Sequence, residues 1–380
     1  MIKVLFFLES LGGGGAEKVL VNLIKGLDKS KYNITVKVMS DVGVYNDEIA
    51  EIIKCKSIIS GKNYGKNIFH NIFYKIKYKL IYLLPKKIIY KIIAREKYDV
   101  EVAFIEGFAT AVISESKNKL SKKIAWIHVD PIERNYADGY FKNLEEHSQC
   151  YKKFDKIVCV SKSVERSAIK KYGITLNNIM TQYNPIDEDD IKKRANEKIN
   201  ILDSSAIKFI TIGRLVEQKG YDRLIRVIKR LKEEYDGVFQ LLILGDGEKK
   251  KQLEEYIKEN KLTNIVKLQG FVKNPYPYLK NSDLFICSSR AEGYSLVIAE
   301  SLILNVPVIS TKCSGPNELL DFGKYGMLVE NDEDSLYLGL KNIIDDRNKL
   351  KELKKKSQKR SEIFNYKKTI ERIEKKILDN

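Results

Sequence analysis

The chain has 380 residues, more than one hydrophobic core usually organises, and its 43% apolar and 31% charged residues exclude a disordered chain. It has no run of about 18 uncharged apolar residues, so no spanning helix is expected, and with only His70, His128 and His147 a multi-histidine metal centre is excluded. The net charge of +17 points to nucleic acid, an anionic membrane surface or a phosphorylated substrate, or else to a general abundance of Lys, Ile, Tyr and Asn.

The N-terminal run Met1–Leu8 is too short for a signal peptide and is interrupted by Glu9 before any small-residue cleavage site. It reads as a first buried strand, Ile2–Leu8, and the protein as cytoplasmic. The helix Ala16–Leu27 follows, with Val19, Leu20, Leu23, Ile24 and Leu27 at helical spacing. Strands are expected at Ile34–Met39, Val100–Ile105, Ile124–Val129 and Ile157–Ser161. A polar break at Ile186–Ser205 precedes a second series: strands Lys208–Gly213, Gln240–Gly245, Ile265–Gly270, Leu284–Ser288 and Val306–Ser310. Helices are expected at Asp222–Tyr235, Lys249–Glu259 and Ser295–Leu304. From about Arg347 a basic helical pattern carries Ile363, Phe364, Ile370, Ile373 and Ile377 as its apolar face.

Fully apolar strands alternating with helices imply parallel sheets covered on both faces. Two such series joined by a polar linker predict two doubly wound, Rossmann-like α/β domains facing each other across a cleft. Of the five cysteines (55, 150, 159, 287 and 313), none has metal-ligand spacing, and Cys159 and Cys287 fall in strands as packed thiols. No metal and no disulfide is expected.

Three segments carry chemistry. Gly12–Gly15 lies between the first strand and first helix, where backbone N–H groups can approach a phosphate; a plain tight turn is the alternative. Lys18 stands where a dinucleotide fingerprint needs its last glycine, which argues against nicotinamide. Arg214 and Lys219, beside Gly213 and Gly220 at a strand end, suit a diphosphate or are two solvated charges. In Ser288–Glu300 a strand ends in a loop holding Glu292, and a helix capped by Ser295 carries Glu300 among apolar residues. A carboxylate there needs charge-assisted donors, which a ribose diol supplies and a neighbouring lysine could also supply. The acidic triplets Asp187–Asp189 and Asp332–Asp334 read as solvated loops.

Taken together, Gly12–Gly15, Gly213-Arg214-Leu215, Lys219-Gly220, Gly270-Phe271-Val272, Trp126–Asp130 and the Glu292/Glu300 pair in E-x7-E spacing resemble the retaining, family-4 glycosyltransferases of GT-B fold. The resemblance covers essentially the whole chain. It implies that Glu300 binds the ribose hydroxyls and Glu292 the transferred sugar, while Arg214 and Lys219 neutralise the departing diphosphate. Amides around Gly14–Gly15 and Tyr294, Ser295 and Leu296 would contact phosphate and sugar, Val272 would read the base, and His128 would point toward the donor sugar. No metal or other cofactor is implied. One departure is Pro185, in Asn184-Pro185-Ile186-Asp187, where the family commonly has glycine.

The expected activity is metal-independent transfer of a hexose or N-acetylhexosamine from a nucleotide-diphosphate sugar, UDP by family preference, to a saccharide acceptor in surface-glycan synthesis. The acceptor-side domain is expected over 1–187, with the helix of about 362–380 packed back on it, and the linker and donor domain over 188–361. The segment 62–97 holds ten cations (among them Lys62, Lys75, Lys77, Lys79, Lys86 and Lys87) against Glu96 alone, interleaved with Phe69 and many aliphatic residues. Such a mixture suits an interfacial helix that docks on the inner membrane face toward a polyprenyl-linked acceptor; a core helix pair with solvated lysines is the alternative. A sugar-nucleotide epimerase of the same architecture and a basic nucleic-acid-binding protein are the rival readings.

Overall fold

A computed structural model of the chain describes residues 1–61, 64–199, 206–235 and 239–379. Lys62 of the basic segment, residues 200–205 of the polar break and Asn380 lie outside the described residues. The chain divides into two compact units, Met1–Pro185 with Tyr366–Asn380, and Ile186–Asn365.

The first unit is built on seven parallel strands: β1 (Ile2–Leu8), β2 (Tyr32–Ser40), β3 (Lys54–Ile59), β4 (Val100–Ala103), β5 (Lys122–Ile127), β6 (Lys156–Cys159) and β7 (Ile179–Thr181). Their order is β3-β2-β1-β4-β5-β6-β7. The register runs Ile2 opposite Tyr32 to Leu8 opposite Val38 on one side of β1, and Val4 opposite Val100 on the other. Val4–Leu8 are fully buried, as a central strand covered on both faces requires. Strands β4, β5 and β6 end about two residues before the apolar runs do. At β5 the reason is visible: the N–H groups of His128 and Val129 leave the ladder and donate to the Glu106 carboxylate.

The second unit has six parallel strands: β8 (Ile207–Ile212), β9 (Phe239–Leu244), β10 (Val266–Gly270), β11 (Leu284–Cys287), β12 (Val308–Thr311) and β13 (Met327–Val329). Their order is β10-β9-β8-β11-β12-β13. Its core gathers Phe209, Leu241, Ile243 and Ile286 from the sheet with Leu224, Ile228 and Leu340 from the covering helices. Both units are therefore Rossmann-like, with doubly wound parallel sheets. In each, the first strand lies inside the sheet between the second and the fourth, so the winding reverses there. Ligands of such sheets bind outside the carboxyl ends of the strands at that reversal.

Three strands escape the sequence pattern. β3 is an edge strand in which only Ile59 is buried, and β7 and β13 are three-residue edges too short to show a period. The acidic triplets are corrected too. Asp187 caps the helix Glu188–Arg194 by accepting from Asp190 N (2.9 Å), and Asp332 caps Glu333–Asp345 by accepting from Ser335 N (2.7 Å).

The basic C-terminal pattern is two segments. Asn348–Ser361 belongs to the second unit, where Ser357 Oγ donates to Val306 O (3.2 Å). After a break at 362–365, Tyr366–Leu378 packs on the first unit. Tyr366 Oη donates to Asn22 O (2.5 Å), and Ile370 lies so close to Gly26 that a Cβ there would stand 2.5 Å from it. Asp379 accepts from Tyr32 Oη (2.5 Å) and Lys31 Nζ (2.7 Å). Ile370, Ile373 and Ile377 are buried as expected of an apolar face, but Ile363 falls in the break and is 52% exposed.

Candidate functional site

At the reversal of the second sheet, the loops following β8 and β11 are tied together. Gly220 has φ +67 and a Cβ on it would stand 2.2 Å from Ser288 O, so only glycine permits the approach. Ser288 Oγ donates to Lys219 O (2.9 Å), Gln218 Nε2 to Ala291 O (2.7 Å) and Arg290 N to Gln218 O (2.7 Å). Beneath them Arg223, 5% exposed, donates to Ser288 O (2.6 and 2.9 Å), Ser289 O (2.8 Å) and Asn331 Oδ1 (2.6 Å). With Asn331 O (3.1 Å) as well, one buried guanidinium holds four carbonyl-type oxygens of the loops after β11 and β13. Asp222, held well below the usual carboxylate range against burial by Arg290 and Arg226, forks onto Arg290 at 2.8 Å twice.

This scaffold places Glu292, 7% exposed, against Lys219. The Lys219 ammonium pairs with Glu292 Oε1, and Ser289 Oγ donates to the same oxygen (2.8 Å). Burial disfavours the charge on Lys219, yet the Glu292 carboxylate outweighs it and holds the ammonium above the usual lysine range. Tyr221, under the same loop, is pushed by burial up to about 12. Arg214 and Lys219, expected as a cation pair, are therefore in different states. Lys219 is engaged by Glu292, whereas Arg214 is exposed and makes no side-chain hydrogen bond or ion pair among the described residues.

Glu300 lies on the helix Leu296–Ile303, whose N-cap Ser295 accepts from Ile298 N (3.5 Å). Its carboxylate is 2% exposed and accepts from Tyr276 Oη at 3.5 Å. Tyr294 is half-buried, and Ser295 and Leu296 are buried. Gly315 closes on this turn: its N–H donates to Glu292 O (2.7 Å), and a Cβ would stand 2.7 Å from Tyr294 Cα. Val272 is half-buried in the loop after β10, beside Phe271, which is 59% exposed.

In the first unit, Gly14 is the N-cap of Gly15–Gly26 and supplies no side-chain cap, so first-turn N–H groups lack a capping oxygen of its own. A Cβ on Gly14 would stand 2.3 Å from Glu17 Oε2. His128 sits just past β5, its ring 5.0 Å from Phe104 and stacked on Trp126 at 6.2 Å. Burial pushes it down to about 3, so its imidazole is neutral, and Nε2 is buried with no hydrogen-bond partner. Its position is set by Glu106, whose Oε2 and Oε1 accept from His128 N (3.0 Å) and Val129 N (3.1 Å).

The basic segment folds as the helices Ile68–Tyr82 and Lys86–Ile93. Phe69 is 79% exposed, and Lys75, Lys77, Lys79 and Lys87 are exposed. Lys86 departs from them: it is half-buried over the rings of Phe108 (4.3 Å) and Tyr82 (4.7 Å). Sequence reasoning missed Arg223, Asn331, Gly315 and Glu106. Arg223 carried one signal, a charged residue at a buried position of an amphipathic helix. Among the described residues no group of three or more His, Cys, Asp or Glu could hold a metal, and no helix is long and apolar enough to cross a membrane.

Comparison with known proteins places these features. The family model "Glycosyltransferase Family 4" matches residues 13–190, and "Glycosyl transferases group 1" matches 192–360. The chain is 31% identical over 373 residues, 96% of each chain, to the N-acetylgalactosamine-N,N'-diacetylbacillosaminyl-diphospho-undecaprenol 4-alpha-N-acetylgalactosaminyltransferase of Campylobacter jejuni. It is 36% identical over 253 residues to the uncharacterized glycosyltransferase MJ1059 of Methanocaldococcus jannaschii, spanning 61% of each chain. The fold matches the crystal structure of Anabaena Alr3699/HepE in complex with UDP and glucose at TM-score 0.74, covering 100% of both chains at 19% identity.

Proposed function

The chain belongs to the GT-B glycosyltransferases, and on that premise we propose that it moves a hexose or N-acetylhexosamine from a UDP-sugar to a polyprenyl-linked saccharide, with retention and without a metal. The observation that carries this reading is the convergence at the second sheet's reversal. Two buried carboxylates, Glu292 and Glu300, flank one turn, with Lys219 paired to the first and Arg214 exposed at the same edge.

In this reading Glu300 accepts the ribose hydroxyls and Glu292 the hydroxyls of the transferred sugar. Cleavage of the sugar–phosphate bond builds negative charge on the diphosphate, and fixed cations at that leaving group are the largest source of rate enhancement. Arg214 and Lys219 supply them in place of a metal. Lys219 must share its ammonium between the diphosphate and Glu292, which couples donor arrival to the carboxylate that reads the sugar. Amides at Tyr294–Leu296 and Val272 complete the donor contacts of the second unit. The Campylobacter relative is named for an α-transfer onto a diphospho-undecaprenol-linked acceptor, which supports a lipid-linked acceptor here. The exposed apolar and cationic face of Ile68–Tyr82 supports docking on the cytoplasmic membrane surface.

The test is a donor screen by nucleotide release with lipid-linked saccharides, run in excess EDTA. Turnover with a UDP-sugar that persists in EDTA is expected. Loss of turnover restored by a divalent metal would reject the metal-free mechanism. Nucleotide release with no glycosylated product would favour the epimerase or hydrolase reading.

A further inference from the structure

The first sheet reverses at β1, as the second does at β8, so its carboxyl edge between β1 and β4 is also a ligand position. Glu9 leaves β1 there, its backbone anchored by Ser40 N (3.1 Å to Glu9 O). Glu9 is only partly exposed. Tyr140 Oη donates to Glu9 Oε2 (3.3 Å), and Tyr78 lies close enough to the same carboxylate for its charge to act on the phenol. A carboxylate offers about four acceptor positions, so the Tyr140 hydroxyl leaves capacity for further donors.

The walls of this position are aromatic. Tyr82 stacks on Phe108 (4.8 Å, 12°) and lies 6.1 Å from Tyr140. Gly107, with φ +88, admits the Tyr140 ring; a Cβ would stand 2.8 Å from it. Tyr136, near Glu106, stays 37% exposed. Burial raises Glu9 and Glu106 above the usual carboxylate range, so an ionised form at either needs donors. Glu106 sets the position of His128, whereas Glu9 has no part in the donor chemistry above.

We propose that Glu9, flanked by Tyr78 and Tyr140, binds the acceptor saccharide by accepting its hydroxyls while the neighbouring rings contact its C–H faces. This rests on the reading of the chain as a glycosyltransferase with a saccharide acceptor. A sugar matches the position because its vicinal hydroxyls donate in pairs to a carboxylate and its ring edges are apolar. A phosphate matches less well, because the cation at this position, Lys86 over Phe108 and Tyr82, is already opposed by the Glu9 carboxylate.

The test uses the full chain, with methyl glycosides of glucose, galactose, N-acetylglucosamine and N-acetylgalactosamine as probes. Binding is followed by saturation-transfer NMR with and without UDP, and UDP affinity is measured separately by calorimetry. At least one glycoside should bind the native protein, about tenfold more weakly or worse in Glu9→Gln and measurably more weakly in Tyr78→Phe, with UDP affinity unchanged in both. Tyr78→Phe keeps the test decisive if Glu9→Gln fails to fold. Glycoside affinity unchanged in a folded variant, or no glycoside binding to the native chain, overturns the proposal. Absence of UDP binding to the native chain instead overturns the donor reading, and the glycoside result stands apart from it.

Discussion

A carboxylate 2% exposed on an otherwise apolar helix, as Glu300 is, survives only with donors nearby. Glu300→Ala should weaken UDP-sugar binding by ~1.5–3 kcal/mol, the value of hydrogen bonds to a charged group. Calorimetry checks this, and unchanged affinity removes Glu300 from the donor site. His128 makes a separate prediction. Its folded value of about 3 lies below the usual 6.5, so the unfolded chain takes up a proton on acidification that the folded chain refuses. Stability from this residue is therefore present above pH about 6.5 and is lost as pH falls toward 3. Relative to His128→Asn, the native chain should lose melting temperature between pH 7 and pH 5; a constant difference contradicts a buried neutral imidazole. Both residues were legible in the sequence as candidates. Their surroundings were not: Lys219 and Glu292 are 73 positions apart, and Arg223 acts through carbonyls that no residue pattern records.

At the scale of one element, the helix Ile68–Tyr82 is built inside out. None of its residues is buried, and Ile68, Phe69, Ile72, Phe73, Ile76 and Leu80 are 49–79% exposed. Tyr74, Tyr78 and Tyr82, one turn apart, face the unit; Tyr78 lies tilted on Tyr74 at 6.1 Å and stacks on Tyr82 at 6.0 Å. A helix that turns its polar-tipped rings inward and its aliphatic side chains outward, among exposed lysines, fits an anionic bilayer surface, where each cation is worth about 1 kcal/mol. The native protein should float with vesicles containing phosphatidylglycerol and not with pure phosphatidylcholine. Phe69→Glu with Phe73→Glu should abolish flotation, and flotation independent of both changes refutes the docking face. The sequence showed the mixture of cations and apolar residues over 62–97. Which side faced outward depended on contacts distant in the chain, Tyr74 with Ser40 and Tyr82 with Phe108.

For the whole molecule, the last described residues complete the first unit: Ile370, Ile373, Ile377 and Leu378 are buried against it. Removing four such side chains forfeits about 1.5–3 kcal/mol each. A chain ending at Asn365 should therefore melt well below the full chain in a thermal scan, and equal melting would show that this segment does not stabilise the unit. The alternation of apolar runs and amphipathic helices was enough, alone, to determine two doubly wound α/β units and the order of the glycine, arginine–lysine and glutamate motifs. Local period and turn chemistry write these features into neighbouring residues. Only the tertiary structure decided that Lys219 is held by Glu292, that Lys86 turns onto aromatic rings while its neighbours stay exposed, and that Glu9 meets Tyr140 at the first sheet's reversal. Those pairings join residues far apart in the chain, and burial and charge select them only once the strands have taken their order.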